Sequence, residues 1–270
     1  DNTIAWYEND GNANPSFTAA NITTSALGPQ SVYAADMDGD GDMDVLSASY
    51  YDNTIAWYEN DGNANPSFTA ATIATSAGGA RSVYAADMDG DGDLDIVSAS
   101  TLDDTIAWYE NDGNADPSFT ATDIATSADG AITAIATDID GDGDMDILSA
   151  SMHDDTVAWY ENDGNAEPSF TAADIATSAD GAYSVYAADM DGDGDMDILS
   201  ASYDGDTIAW YKTAPALTFN SSTPATSSNT VALDADITLT FNLAVKTSTV
   251  NASNIVITGK NTGIISGTFS

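Results

Sequence analysis

The chain has 270 residues, with 44 Asp and Glu against 4 Lys and Arg, a formal net charge of −40 and no cysteine. That charge excludes nucleic acid as a partner, since affinity for phosphates comes from Lys and Arg, and it repels an anionic membrane surface. It leaves no disulfide or thiol chemistry and makes cations the natural ligands. Hydrophobic residues at 43% against 18% charged are enough for a packed core. The chain opens on Asp1 rather than Met and reads as a processed or excised piece of a secreted protein.

A repeat organises everything up to Tyr211. Trp6, Trp57, Trp108, Trp159 and Trp210 recur every 51 residues, and so do the acidic blocks that start at Asp36, Asp87, Asp138 and Asp189. A period of this length points to a propeller or solenoid. Within one unit, Val83–Ala86 is predicted as a first strand and Ile96–Ser100 as a second. Thr105–Tyr109 is the third and Phe119–Thr126 the fourth. The runs are short, β-branched and aromatic, and the segment 111–117 between the last two is dense in turn residues. Four antiparallel strands per unit make a propeller blade. Whole blades are expected near 32–75, 83–126 and 134–177. The start of the chain supplies only a third and fourth strand, and 185–211 only a first to third.

The fold class is therefore all-β: a β-propeller of four-stranded blades with 51-residue repeats over 1–212, plus a partial Ig-like β-sandwich. A Ser/Thr/Pro-rich linker is read at 213–230 and the sandwich at 231–270, with strands expected in Val231–Val245 and Asn254–Thr258. A sandwich of this kind needs about seven strands and roughly 100 residues, so the tail is a part of one.

The chemistry lies in the acidic blocks. Asp36, Asp38 and Asp40 stand at positions 1, 3 and 5 of a loop, Gly41 at 6, Asp42 at 7 and Asp44 at 9. Alternate residues aim oxygens at one centre, the glycine permits a sharp turn, position 7 offers its carbonyl, and position 9 closes the shell. Oxygen-only ligands in a flexible loop favour Ca²⁺ over Zn²⁺ or Mg²⁺. The pattern resembles an EF-hand loop with its closing acid at 9 instead of 12. It recurs as Asp87, Asp89, Asp91, Asp93 and Asp95; as Asp138, Asp140, Asp142, Asp144 and Asp146; and as Asp189, Asp191, Asp193, Asp195 and Asp197. Four Ca²⁺ sites are predicted. Four carboxylates at ~5 Å repel by about 0.8 kcal/mol per pair even in water, so such a loop is built to be filled.

A strand, the acidic loop, then an Ile/Val/Leu pair resembles the FG-GAP repeat, the calcium-loop blade of integrin α-subunit propellers and of many secreted bacterial proteins. The tail, through segments such as 231–238 and 248–251, is similar to Ig-like modules of bacterial surface-layer proteins. The resemblance implies adhesion or ligand binding, a ring of typically seven blades, and a secreted or cell-surface, bacterial setting.

Two sets of positions vary between repeats. Gln30, Arg81, Ile132 and Tyr183 precede the first strand, and Tyr51, Leu102, His153 and Asp204 lie between the second and third. Both loop sets belong to the edge of a blade opposite the acidic loops. Varied loops on a fixed scaffold make this the expected ligand face. The lone histidine, His153, falls at one of these variable positions and has no fixed neighbour to make it a base. The primary reading is a non-catalytic, calcium-stabilised binding or adhesion module with a glycan or protein ligand or copies of itself as partner. A filament or surface-matrix subunit is the alternative, and a carbohydrate-active enzyme the third reading. The incomplete end modules lead to a further expectation, that terminal strands pair with a second copy or with other parts of a parent protein.

Overall fold

The computed structural model describes residues 2–213, 219–223, 238–241, 257–259 and 263–265, in two units, Asp1–Ala214 and Pro215–Ser270. The first is built of five antiparallel sheets. A two-stranded sheet holds β1 (Ile4–Asn9) and β2 (Phe17–Thr23). Three four-stranded sheets follow: β3 (Pro29–Ala35), β4 (Asp44–Ser49), β5 (Thr54–Asn60) and β6 (Phe68–Ala74); β7 (Ala80–Ala86), β8 (Asp95–Ser100), β9 (Thr105–Asn111) and β10 (Phe119–Ala125); β11 (Ala131–Thr137), β12 (Asp146–Ser151), β13 (Thr156–Asn162) and β14 (Phe170–Ala176). A three-stranded sheet, β15 (Ala182–Ala188), β16 (Asp197–Ser202) and β17 (Thr207–Tyr211), ends the unit. The strand order in each sheet follows the chain, as the repeat predicts. β2 pairs with β1 and does not join the last sheet.

Period-2 alternation sets how the sheets stack. Along the third strand, Ile and Trp point to one face and Ala and Tyr to the other. Ile55 and Trp57 pack with Ala107 and Tyr109 of the next sheet in one core. Ile106 and Trp108 pack likewise with Ala158 and Tyr160, and Val157 with Ile198 and Tyr211. The first sheet enters the series through Ile4 against Ala56 and Tyr58. The cores thus lie between sheets. The second strand, covered on both faces, is buried along its whole length in β8 and β12, while most of the fourth strand is exposed.

First strands lie beside one another in successive sheets. Ser82 Oγ donates to Ala134 O at 3.1 Å, Thr133 Oγ1 to Tyr183 O at 2.8 Å, and the rings of Tyr33 and Tyr84 are 4.7 Å apart. At one edge of the stack the turn between second and third strands holds a left-handed non-glycine residue, Asn53, Asp104 or Asp155, at φ of 57–59°. Asn and Asp tolerate that conformation. Their side chains accept the N–H of Gly79, Gly130 and Gly181 in the following repeat at 2.8–2.9 Å.

Among the described residues the stack is not closed into a ring. In the last sheet Ile208 is 85% exposed and Trp210 50%, where Ile106 and Trp108 are 0% and 5%.

In the second unit β18 (Phe219–Thr223) pairs with β19 (Thr238–Phe241), and β20 (Ile257–Gly259) with β21 (Gly263–Ile265). β18 is a strand inside the stretch read as linker. β19 falls within the expected 231–245 strand region and β20 overlaps the expected 254–258 strand. The remainder of both regions lies outside the described residues.

Candidate metal centre

Each acidic loop joins the first strand of a sheet to the second, so β3 and β4 hold both ends of the loop 36–44. Asx-type bonds shape it: Asp40 N donates to Asp38 Oδ1 at 3.1 Å, Asp42 N to Asp40 Oδ1 at 2.9 Å and Gly41 N to Asp36 Oδ2 at 3.0 Å. Gly41, Gly92, Gly143 and Gly194 sit at φ of 97–104°, a conformation side chains rarely adopt, with nothing within 4 Å of where a Cβ would be. Position 6 needs glycine for its backbone, not for space.

Carboxylate oxygens of Asp36, Asp38 and Asp40 converge to within 4.8 Å of one another, as do those of Asp87, Asp89 and Asp91. In the third and fourth loops the convergent groups are Asp138, Asp140 and Asp146, and Asp189, Asp191 and Asp197. Positions 1 and 3 thus meet in all four loops, with position 5 in two and position 9 in two. Asp36 Oδ1 is buried without a hydrogen-bond partner, a state that a cation bound by the loop would relieve. All-oxygen, all-carboxylate donors fit a hard divalent cation.

Position 9 is the anchor. Asp44, Asp95, Asp146 and Asp197 are buried. Asp44 accepts the N–H of Met37 at 3.1 Å from its own loop and of Asn60 at 2.8 Å from the third strand, and the other three repeat this with the equivalent residues. Burial pushes the Asp95 carboxyl up to about 7 and that of Asp146 up to about 6, against the opposing pull of these backbone N–H groups. The Trp57 indole N–H, which makes no hydrogen bond of its own, adds to that pull at Asp44.

Position 7 faces elsewhere. The carboxylates of Asp42, Asp93 and Asp144 lie against Gly62, Gly113 and Gly164 in the turn between third and fourth strands, where a Cβ would meet an oxygen at 2.1–2.2 Å. Their side chains are outside the convergent groups, which leaves the backbone carbonyl as the group the sequence expected to serve.

Sequence reasoning missed the asparagine that opens this turn. Asn111 Nδ2 donates to Leu94 O of its own loop and to Met37 O of the preceding one, both at 3.0 Å. Asn162 does the same to Met145 and Met88. Its recurrence every 51 residues was the available signal, masked by the ordinary use of Asn in turns.

At the opposite edge, Tyr51, Leu102, His153 and Asp204 are exposed. Loops before the first strand and after the second do meet there: Tyr51 N donates to Leu27 O at 3.0 Å and Leu102 N to Gly78 O at 2.8 Å. Gln30, Arg81, Ile132 and Tyr183 occupy a β-bulge in the first strand, which re-aims the side chain. Arg81 stacks 4.9 Å over the Tyr50 ring and reaches Gln30 Oε1 at 3.3 Å. Ile132 corrects the sequence reading: at 5% exposure it is part of the core, because an isoleucine at the bulge gains more from burial than from solvent. His153 Nδ1 lies 3.2 Å from Asp129 Oδ1 on the surface.

Repeated antiparallel sheets, four of them with an acidic loop between the first two strands whose carboxylates could hold a metal ion, define a class of all-β tandem-repeat proteins. The chain belongs to the FG-GAP-like repeat family, which matches residues 1–47, 36–98, 87–149 and 138–200, and a bacterial Ig-like domain matches 212–270. No curated protein matches it. Among solved structures, the V. cholerae biofilm matrix protein Bap1 is similar at 21% identity and a TM-score of 0.41, covering 73% of this chain and 30% of that one. The exotype rhamnogalacturonan lyase YesX is similar at 14% identity and a TM-score of 0.42, covering 76% and 44%. The chain spans less than half the length of either.

Proposed function

We propose that the chain is a calcium-stabilised, non-catalytic binding or adhesion module of an extracellular bacterial protein. Its sheets are blades of a propeller, and its ligand, a glycan or a protein, meets the edge that carries Tyr51, Leu102 and Arg81. The observation that carries this reading is the fourfold convergence of carboxylates, with Asp36 Oδ1 buried and unpaired in the first loop. A calcium-loop repeat joined to a bacterial Ig-like domain fits an extracellular adhesion or matrix component.

Extracellular sites of this type bind at ~10⁻⁴–10⁻³ M. At about one hundred times that dissociation constant each site adds roughly 2.7 kcal/mol, which for four sites rivals the ~5–15 kcal/mol of a whole domain. Removal of calcium with excess chelator is expected to lower the melting temperature by tens of degrees; an unchanged melt would sink the reading.

A second reading, a subunit of a surface matrix or filament, is favoured by the exposure of Ile208 and Trp210. Internal sheets bury that face against the next repeat. Under it, sedimentation at micromolar concentration should show concentration-dependent oligomers. A monomer throughout would reject it.

A further inference from the structure

The third strand of each repeat runs Trp-Tyr and then one charged residue. That residue is Glu8, Glu59, Glu110 and Glu161 in the first four sheets and Lys212 in the last. It is a reversal at one position of a repeat that is otherwise almost invariant, and it uses one of only four cationic side chains in the chain. The position faces the acidic loop. Burial raises the Glu59 carboxyl, and the charges of Asp38, Asp44 and Asp40 in its own loop add to the rise. Glu110 is raised by burial, by Glu167 of the next repeat, and by Asp89 and Asp91. In the last sheet the ammonium of Lys212 contacts Asp191 and lies 3.2 Å from Asp193 Oδ2. Asp191 is position 3 of the fourth loop and one of its three convergent carboxylates; Asp193 is position 5.

We propose that Lys212 is a tethered competitor for the cation of the fourth loop, so that this loop takes calcium more weakly than the other three. The proposal rests on the calcium reading above. Two effects act in the same direction. An arriving Ca²⁺ must displace the ammonium from Asp191 and Asp193, and it meets a local charge two units more positive than in the other loops. At separations of about 6 Å, within the screening length of physiological salt, the second effect alone weakens binding on the order of tenfold or more. The fourth loop is then filled only after the first three, and the lysine offsets part of its carboxylates' charge until that happens.

Calorimetric titration of Ca²⁺ into the metal-stripped full chain tests this. The expected isotherm has three similar sites and one on the order of tenfold weaker. Lys212→Glu, which restores the residue of the other repeats at an exposed position, is expected to give four similar sites, and Lys212→Gln an intermediate shift. Asp191→Asn should remove the weak site and leave three. Four equivalent sites in the unaltered chain, or a weak site untouched by Lys212→Glu, would overturn the role of Lys212 and leave the calcium reading standing. Absence of binding at every loop would overturn both.

Discussion

The side-chain amide of Asn111 reaches back 74 residues to the carbonyl of Met37 at 3.0 Å, while its backbone N–H holds Asp95 Oδ1 at 2.7 Å. One buried residue therefore fastens the acidic loop of its own repeat and that of the repeat before. Replacement by alanine leaves the Met37 and Leu94 carbonyls without this donor in a largely buried setting, at a cost of about 1–3 kcal/mol. Asn111→Ala is expected to lower the melting temperature and to weaken calcium binding at two loops rather than one. Calorimetry would show it; a change confined to the 87–95 loop would refute the linkage.

Identical side chains at different places in the stack should have different values. Ile106→Ala opens a cavity in the core shared by the second and third complete sheets, for about 2–5 kcal/mol. Ile208→Ala removes a largely exposed residue from the last sheet and should fall within about 0.5 kcal/mol. Chemical denaturation of the two variants gives the comparison. Equal losses would mean that the last sheet is covered in solution.

The raised carboxyls fix the pH response of metal-stripped protein. A folded pKa of about 7 at Asp95 and about 6 at Asp146, against an ordinary 3.8, means that the fold favours the protonated form. That contribution is full below the ordinary value and is lost as pH rises through the folded values. Metal-free protein should melt at a lower temperature at about pH 7.5 than at about pH 5. Saturating calcium, which takes the ionised carboxylate, should reverse the order. A metal-free melting temperature that rises over this interval would contradict the assignment.

Asp104 combines a left-handed backbone with acceptance of the Gly130 N–H at 2.9 Å. Asp104→Asn reproduces what Asn53 does in the preceding repeat and should be nearly neutral. Asp104→Ala loses both the tolerance and the bond and should cost on the order of 1–3 kcal/mol. Thermal melts of the pair would separate conformation from charge; equal behaviour of the two variants would contradict it.

The strands and acidic loops were legible because short-range chemistry writes both of them. Alternation of Ile, Ala, Trp and Tyr reads directly as a strand with two buried faces, and Asp at alternate positions with Gly at 6 reads as a cation loop. The pairings that hold repeats together were not legible. Asn111 to Met37 and Asn53 to Gly79 depend on how one sheet lies on the next, which a repeat of 51 leaves open. Ile132 shows the same limit: it sits at a position whose varied residues suggested a ligand face, and its packing buries it.

The two junctions between complete sheets join the same two faces, Ile and Trp on one side, Ala and Tyr on the other. The junctions are therefore interchangeable. An in-frame duplication or deletion of one 51-residue unit in the coding sequence would leave no mismatched interface behind, and the new length would fold as readily as the old. Length becomes a heritable variable, while the loops at the edge that carries Tyr51, Leu102 and His153 differ from one unit to the next.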